Sequence, residues 1–332
     1  MRDRITRREL LKRTGAGASL GAVALAGCSG DGGGVSGETI KVGALQPVSG
    51  DIAYYGKQSL MGFFSGLAYK YDTDPIAELT TGTRTIEPDD GPTFEIIVED
   101  TQFSPETAQS VATDLVVDEE VDLLFGTSSS GSARRIANTV LPESEVTFVA
   151  GPAADANITV SSEYCHERMF RTSEHTAMDA RAGGRYAAQN TDISTVAIFA
   201  ADYSFGRAVA ENYREVLEAN GIEVLEPRYV EQGYSEFAGL FDEAVNNGAD
   251  AVVGGFTVVT LPNFLDEGLS GDYGLRMFGG FATQISTNAI GGVAQRVLGK
   301  PLTEQKIRDA QLGPFTTRYH WNQYDNPIND AF

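Results

Sequence analysis

The 332-residue sequence is short of cysteine, histidine, tryptophan and lysine. With only Cys28 and Cys165, a disulfide scaffold is excluded, and a packed core must supply the stability. Three histidines (His166, His175, His320) leave few general bases, and none lies in a recognisable catalytic motif. Cys165-His166 with His175 lacks the ligand spacing of a zinc site and reads as a surface turn with a buried thiol. No metal or cofactor is expected. Lysine occurs six times among 25 basic residues, against 46 acidic ones, for a net charge of −21. The first thirteen residues contribute +4, so the rest carries −25. A body that acidic repels phosphate backbones, which argues against nucleic acid as a partner. Acid excess with scarce lysine also fits a salt-loving organism, where ionic strength screens self-repulsion.

What is present is a globular chain, 42% hydrophobic and 9% aromatic, long enough for two domains or lobes. Residues 1–27 are an address. Thr6-Arg-Arg-Glu-Leu-Leu-Lys12, a weakly apolar run and Leu25-Ala-Gly-Cys28 resemble a twin-arginine lipoprotein signal. The run is too short to span a bilayer. That resemblance implies export in folded form, cleavage before Cys28 and lipid on its sulfur, hence a membrane-anchored protein on the cell surface. Gly15 to Gly21 nearly mimics a dinucleotide fingerprint, but basic residues stand where a strand is needed. Residues 28–38 are glycine-rich without periodicity and read as a flexible tether.

The mature chain is organised around the stretch 121–133. Val121 to Phe125 reads as a buried strand, Gly126 to Ser132 as a hydroxyl-rich turn, and Ala133, Ile136, Ala137 and Val140 as one helix face. Such a turn, at a helix N-terminus, can hold a small anion, although Ser and Gly are also ordinary capping residues. Further strands are expected at 39–45, 94–98, 146–150, 195–200, 222–230, 251–256 and 275–281, and residues 72–92 read as an irregular excursion. Helical faces recur between the strands, including one after Gly56 that runs to about Tyr71, one opened by Ser104-Pro105, 178–189, 203–220 and 237–247. The alternation predicts an α/β fold of two doubly wound parallel sheets, one per lobe, with ligand beyond the carboxyl ends of the strands.

The order of these motifs resembles the type 1 periplasmic-binding proteins of ABC transporters, especially the branched-chain amino-acid branch. The resemblance rests on Ile40 to Leu45 with Ser49-Gly50 and Tyr55-Gly56, then Glu99 to Thr101, Phe125 to Ser132, Gly151 to Asp155, Phe170 to Thr172, Asp202 to Arg207 and Gly254 to Phe256. It implies an N-terminal lobe at 39–172, a C-terminal lobe at 173–312 and a return crossover at 313–332. It also implies that the family's further strands and helices, expected after Phe332, are missing from this sequence. A small solute, an amino acid or analogue, would sit between closing lobes and pass to an ABC permease. Ser129, Ser130 and Ala153 would hold its carboxylate, Tyr55 would line the first lobe, and Phe205, Phe256 and Phe281 would close from the second.

Two positions depart from the amino-acid binders. Phe281 stands where they place a carboxylate for the ammonium group, and Asp155 where they carry Thr. Either Asp155 supplies the charge for an amine, or the ligand is not an α-amino acid; a solvated turn residue is the plain alternative. Two other functions fit less well: a ligand sensor of the same fold, for which no signalling segment is visible, and a surface hydrolase, for which no triad is visible. Asn157-Ile-Thr159 is a glycosylation sequon close to the expected cleft.

Overall fold

A computed structural model describes residues 38–280 and 284–315. The expectations for the signal, Cys28, Phe281 and residues 316–332 lie outside the described residues.

Apolar runs flanked by turn residues form the first sheet. Its strands are β1 (Thr39–Gln46), β2 (Gly82–Ile86), β3 (Thr93–Asp100), β4 (Leu123–Gly126), β5 (Thr147–Ala150) and β6 (Met169–Arg171), in the order β2-β3-β1-β4-β5-β6. All neighbours are parallel except β2, which pairs antiparallel to β3. This corrects the expectation of an irregular 72–92 segment. β2 alternates Thr and Arg at an edge, so it has no apolar run to announce it. The helices interleaved with these strands are α1 (Ala53–Tyr71), α2 (Pro105–Val117), α3 (Ser130–Thr139) and the single turn α4 (Asn157–Val160). One core lies between the sheet and α2 and α3, around Leu45, Leu115, Leu124, Ile136 and Phe148. The opposite face packs Val42, Ile96 and Phe125 against Leu60 and Phe64 of α1.

From β6 the chain passes over residues 172–175 into α5 (Thr176–Asn190), which packs on α6 (Ser204–Ala219). The second sheet holds β7 (Thr195–Ala201), β8 (Glu223–Val224), β9 (Arg228–Val230), β10 (Ala251–Gly255) and β11 (Arg276–Phe278). It runs β11-β10-β7-β8, with β9 also on β7 and every pair parallel. The strand expected over 222–230 is thus two short pieces, parted where Pro227 cannot donate to a ladder. Helices α7 (Ala238–Asn246), α8 (Leu261–Ser270), α9 (Gln284–Leu298) and α10 (Glu304–Asp309) complete the described chain. Phe199, Phe237, Phe241 and Phe264 pack on one face of this sheet. Residues 311–315 stay beside β11: the Gly313 N–H donates to Met277 O, and the Gly279 N–H to Pro314 O at 2.9 Å. The two-sheet α/β architecture agrees with the fold class expected from the alternation.

Candidate functional site

The carboxyl ends of β1, β4 and β5 meet at one amide. Gln46 is fully buried; its Nε2 donates to Ser59 Oγ (2.8 Å) and Gly151 O (3.0 Å), and its Oε1 accepts from Ser128 Oγ (2.8 Å). Beside it Gly126 sits at φ +143°, with Leu45 O only 2.1 Å from where a Cβ would stand, so no other residue fits. The turn that follows is bonded to itself. Thr127 Oγ1 donates to Ser129 O (2.7 Å), and Ser129 Oγ caps α3 by accepting from the Ser132 N–H (3.2 Å). Ser130 Oγ accepts from the Asp155 N–H at 3.2 Å, and the Ala153 N–H donates to Thr127 O at 2.9 Å. Ala153 is therefore a buried tie between β4 and β5, and the donor role expected of its N–H is taken by Thr127.

Asp155 is neither solvated nor free. Its side chain is 0% exposed, pairs with Arg134 of α3 at 2.5 Å, and accepts from the Asn157 N–H at 2.9 Å. Arg171, at the end of β6, donates to Ala153 O (2.7 Å) and Asp155 O (2.6 Å), clamping the loop from behind. Burial pushes the Asp155 carboxyl above its ordinary range, opposed by the Asn157 N–H, Arg134 and Arg171. Burial likewise lowers Arg171, opposed by Asp155. The burial of Asp155 corrects the reading of a turn residue in solvent, and Arg134 occupies the carboxylate that the ammonium reading assigned to a ligand. Arg134 also lies 4.5 Å from the Tyr164 ring.

The second lobe brings aromatic residues to the facing ends of β7 and β10. Tyr203 precedes α6, and burial pushes its hydroxyl up to about 12, with Thr257 and Tyr55 near. Its ring lies 6.0 Å from Phe103 of the first lobe, edge to face. Phe205 packs at the base of α6, 8% exposed and 6.3 Å from Tyr203. Phe256 is 2% exposed and packed between Phe237 (5.5 Å) and Phe264 (5.4 Å), so it belongs to the second-lobe core and not to the cleft wall. Tyr55 crosses the gap: its hydroxyl accepts from the Val258 N–H at 3.4 Å. Asn157 Nδ2 donates to Glu211 Oε2 at the same distance farther out.

The structure thus brings Tyr55, Ser129, Ser130 and Phe205 to facing strand ends, and moves Ala153, Asp155 and Phe256 into supporting roles. Sequence reasoning missed Gln46, Phe103, Arg134, Arg171 and Tyr203. Gln46 could have been found as a polar residue closing an apolar strand, Tyr203 as the aromatic just before a helix start, and Arg171 from the Phe170 to Thr172 stretch that carries the resemblance; Arg134 carries no local signal. Cys165 is exposed, against the expected buried thiol, and among the described residues no group of three His, Cys, Asp or Glu comes together. Among them also, no helix is long and apolar enough to cross a membrane.

Three comparisons bear on this arrangement. The family model described as "Periplasmic binding protein" matches residues 39–332. The "Leu/Ile/Val-binding protein homolog 6" of Brucella melitensis is 24% identical over 301 residues, covering 89% of this chain and 68% of that protein. Among solved structures, an amino-acid ABC transporter substrate-binding protein from Pseudomonas fluorescens superposes with a TM-score of 0.64 at 21% identity, covering 88% of this chain and 70% of its own. A solute-binding protein of an ABC transporter from Rhodopseudomonas palustris, solved with 3,4-dihydroxybenzoic acid, gives 0.58 at 24%, covering 73% of this chain. The chain spans 62% of the length of that last protein. With the family model matching nearly all of the described fold, the chain belongs to the periplasmic binding protein family.

Proposed function

We propose that this chain is the solute receptor of an ABC importer, and that its solute is a carboxylate with an apolar or aromatic body. The observation that carries the reading is the Arg134–Asp155 pair: the carboxylate of the residue tied to the serine turn is already paired. An α-amino acid would place its ammonium group there without a partner, at a cost of several kcal/mol for a buried charge. A simple carboxylate needs only donors, which the start of α3 and its hydroxyls offer. Its body would lie against Tyr55, Phe103 and Tyr203, in the usual manner of pockets with few polar anchors and many apolar walls. Two relatives of similar fold support this choice, one solved with benzoate and one with 4-hydroxybenzoate.

In this reading the lobes open and close by a hinge over 172–175, and the solute stabilises the closed form by touching both. The twin-arginine motif and Cys28 support export and lipid anchoring at the outer face of the membrane. The acid excess supports work at high salt. A Cys28→Ser chain should then leave the membrane fraction, and one that stays there would rule out the anchor.

The test is thermal unfolding of the full chain in molar salt with 4-hydroxybenzoate, benzoate and leucine in turn. A ligand at a hundred times its Kd stabilises by about 2.7 kcal/mol. Stabilisation by the aromatic acids alone is the expected result. Stabilisation by leucine alone would overturn the carboxylate assignment, and silence for a broad panel would favour the sensor.

A further inference from the structure

Farther out than the serine turn, the lobes face each other across a second groove. Arg134, a turn beyond Ser130 in α3, lines it with Asn157 and Tyr164. Arg207 and Glu211, one and two turns into α6, line it from the second lobe with Tyr229. The enclosed volume is about 490 Å³, within the range that holds a small organic ligand. Its planar groups are held in place, with Arg134 4.5 Å from the Tyr164 ring and Arg207 4.4 Å from the Tyr229 ring.

The charges of this groove select the kind of occupant. Arg134 pairs with Asp155 at 2.5 Å, Arg207 with Asp202, and Arg214, which also lines the groove, with Glu226 at 2.9 Å. Glu211 accepts from Asn157 Nδ2 at 3.4 Å. A small anion would have to displace one of these carboxylates from its guanidinium. A neutral polyhydroxyl would not. Each of its hydroxyls both donates and accepts, so it can join a guanidinium and a carboxylate without separating them. The apolar side of a sugar ring also suits a tyrosine.

The groove holds an attachment point for such a ligand. Asn157-Ile158-Thr159 is an N-glycosylation acceptor sequence, and Asn157 is part of the groove wall. The sequence opens a stretch of surface chain: Val160 is 71% exposed, and Ser162 and Glu163 are exposed after it. The Thr159 hydroxyl accepts from Arg171 Nε at 3.3 Å, which leaves its own proton to donate.

We propose that Asn157 carries an N-linked neutral oligosaccharide whose first rings sit in this groove, against both lobes. The transfer joins C1 of the sugar to Asn157 Nδ2 and breaks the bond from C1 to a phosphate oxygen of a lipid-linked donor at the outer face of the membrane. The lipid phosphate leaves with the electron pair, and one amide proton is released. The second amide hydrogen remains for Glu211. The assignment rests on the export of the chain proposed above.

The test uses the full chain purified from its own cells. Mass spectrometry of the peptide carrying 157–159 should show the mass of one or more sugar units. Asn157→Gln and Thr159→Val should each abolish that mass, whereas Thr159→Ser should retain it. Seating is read by phenylglyoxal labelling of Arg207, whose side chain is 56% exposed, with Arg308, 70% exposed, as the remote control. A tethered sugar is present at a millimolar effective concentration, so a seat with a tenfold lower Kd slows Arg207 labelling about tenfold relative to Asn157→Gln. Arg308 should label equally in both. Sugar that survives Asn157→Gln, or equal labelling of Arg207 with and without sugar, would overturn the proposal. Protease treatment of intact cells separates it from the export reading. A chain cut at the cell surface with Asn157 bare sinks the glycan and leaves export standing; a chain shielded inside the cell sinks both.

Discussion

The two lobes build their sides of the cleft from opposite materials. The first lobe uses small residues held by directional bonds: Gln46 across three strand ends, Ser129 as a cap, Ser130 on the Asp155 N–H, and Arg134 and Arg171 around the 153–155 loop. The second uses rings in contact, with Tyr203 and Phe205 at the start of α6 and the ring core of Phe256, Phe237 and Phe264 behind them. Directional bonds fix donors to within a few tenths of an ångström before any ligand arrives, which is what an anion requires. Ring packing fixes a wall without specifying a bonding pattern, so it can accept solutes of varied outline.

Mutations should separate the two materials. The largest effect is expected from Phe256→Ala, which leaves a cavity among the second-lobe rings and should cost about 4 kcal/mol of unfolding free energy, independent of salt. Denaturant titrations at low and high salt would read both properties; marked salt dependence would contradict an apolar origin. Arg134→Met should come next, at about 3 kcal/mol, because it strands a buried carboxylate. Its sign with pH is distinctive. Burial already raises the folded Asp155 carboxyl above its usual value near 3.8, so this group's favourable contribution is complete below that value and is lost as pH rises through the folded pKa. Removing Arg134 should carry that loss to higher pH, and adding Asp155→Leu should restore most of the stability. A double variant as weak as the single one would show that the charge was not the cause. The smallest effect belongs to Tyr55→Phe. The bond it removes is long, at 3.4 Å, so solute affinity should fall by less than about 1 kcal/mol while unfolding stays unchanged. An equal loss in both would place Tyr55 in the core of the first lobe instead of at the closure contact.

How much of this could be read from the residues depends on the range of the interactions. Strand and helix alternation is a local periodicity, and it located most elements of both sheets, including the serine turn before α3. The 82–86 strand escaped because an edge strand of Gly, Thr and Arg has no apolar stripe. Asp155 was misplaced for a different reason: its partner Arg134 lies 21 positions earlier, and only the packing of α3 beside β5 brings them together. Phe256 and Phe205 show a third limit. An aromatic at a strand end serves a core or a cleft equally well, and the choice depends on which neighbours reach it from other elements. The resemblance to a family supplied the architecture, and it could not supply the partners of single side chains.

The antiparallel β2 has a further consequence for how the chain behaves among copies of itself. A sheet that ended at β3 would offer a bare rim of apolar Ile and Val to any passing strand. Instead the rim is a short strand of threonines, and the guanidinium of Arg84 folds back on the carbonyls of Thr83 (2.9 Å), Thr81 (3.3 Å) and Thr80 (3.4 Å), with Glu78 held at 3.1 Å. Of these carbonyls Thr83 O lies in β2 and the other two in the turn before it, so Arg84 covers the start of the edge and leaves a charge there. A short, charged edge of this kind disfavours edge-to-edge pairing between copies of the chain.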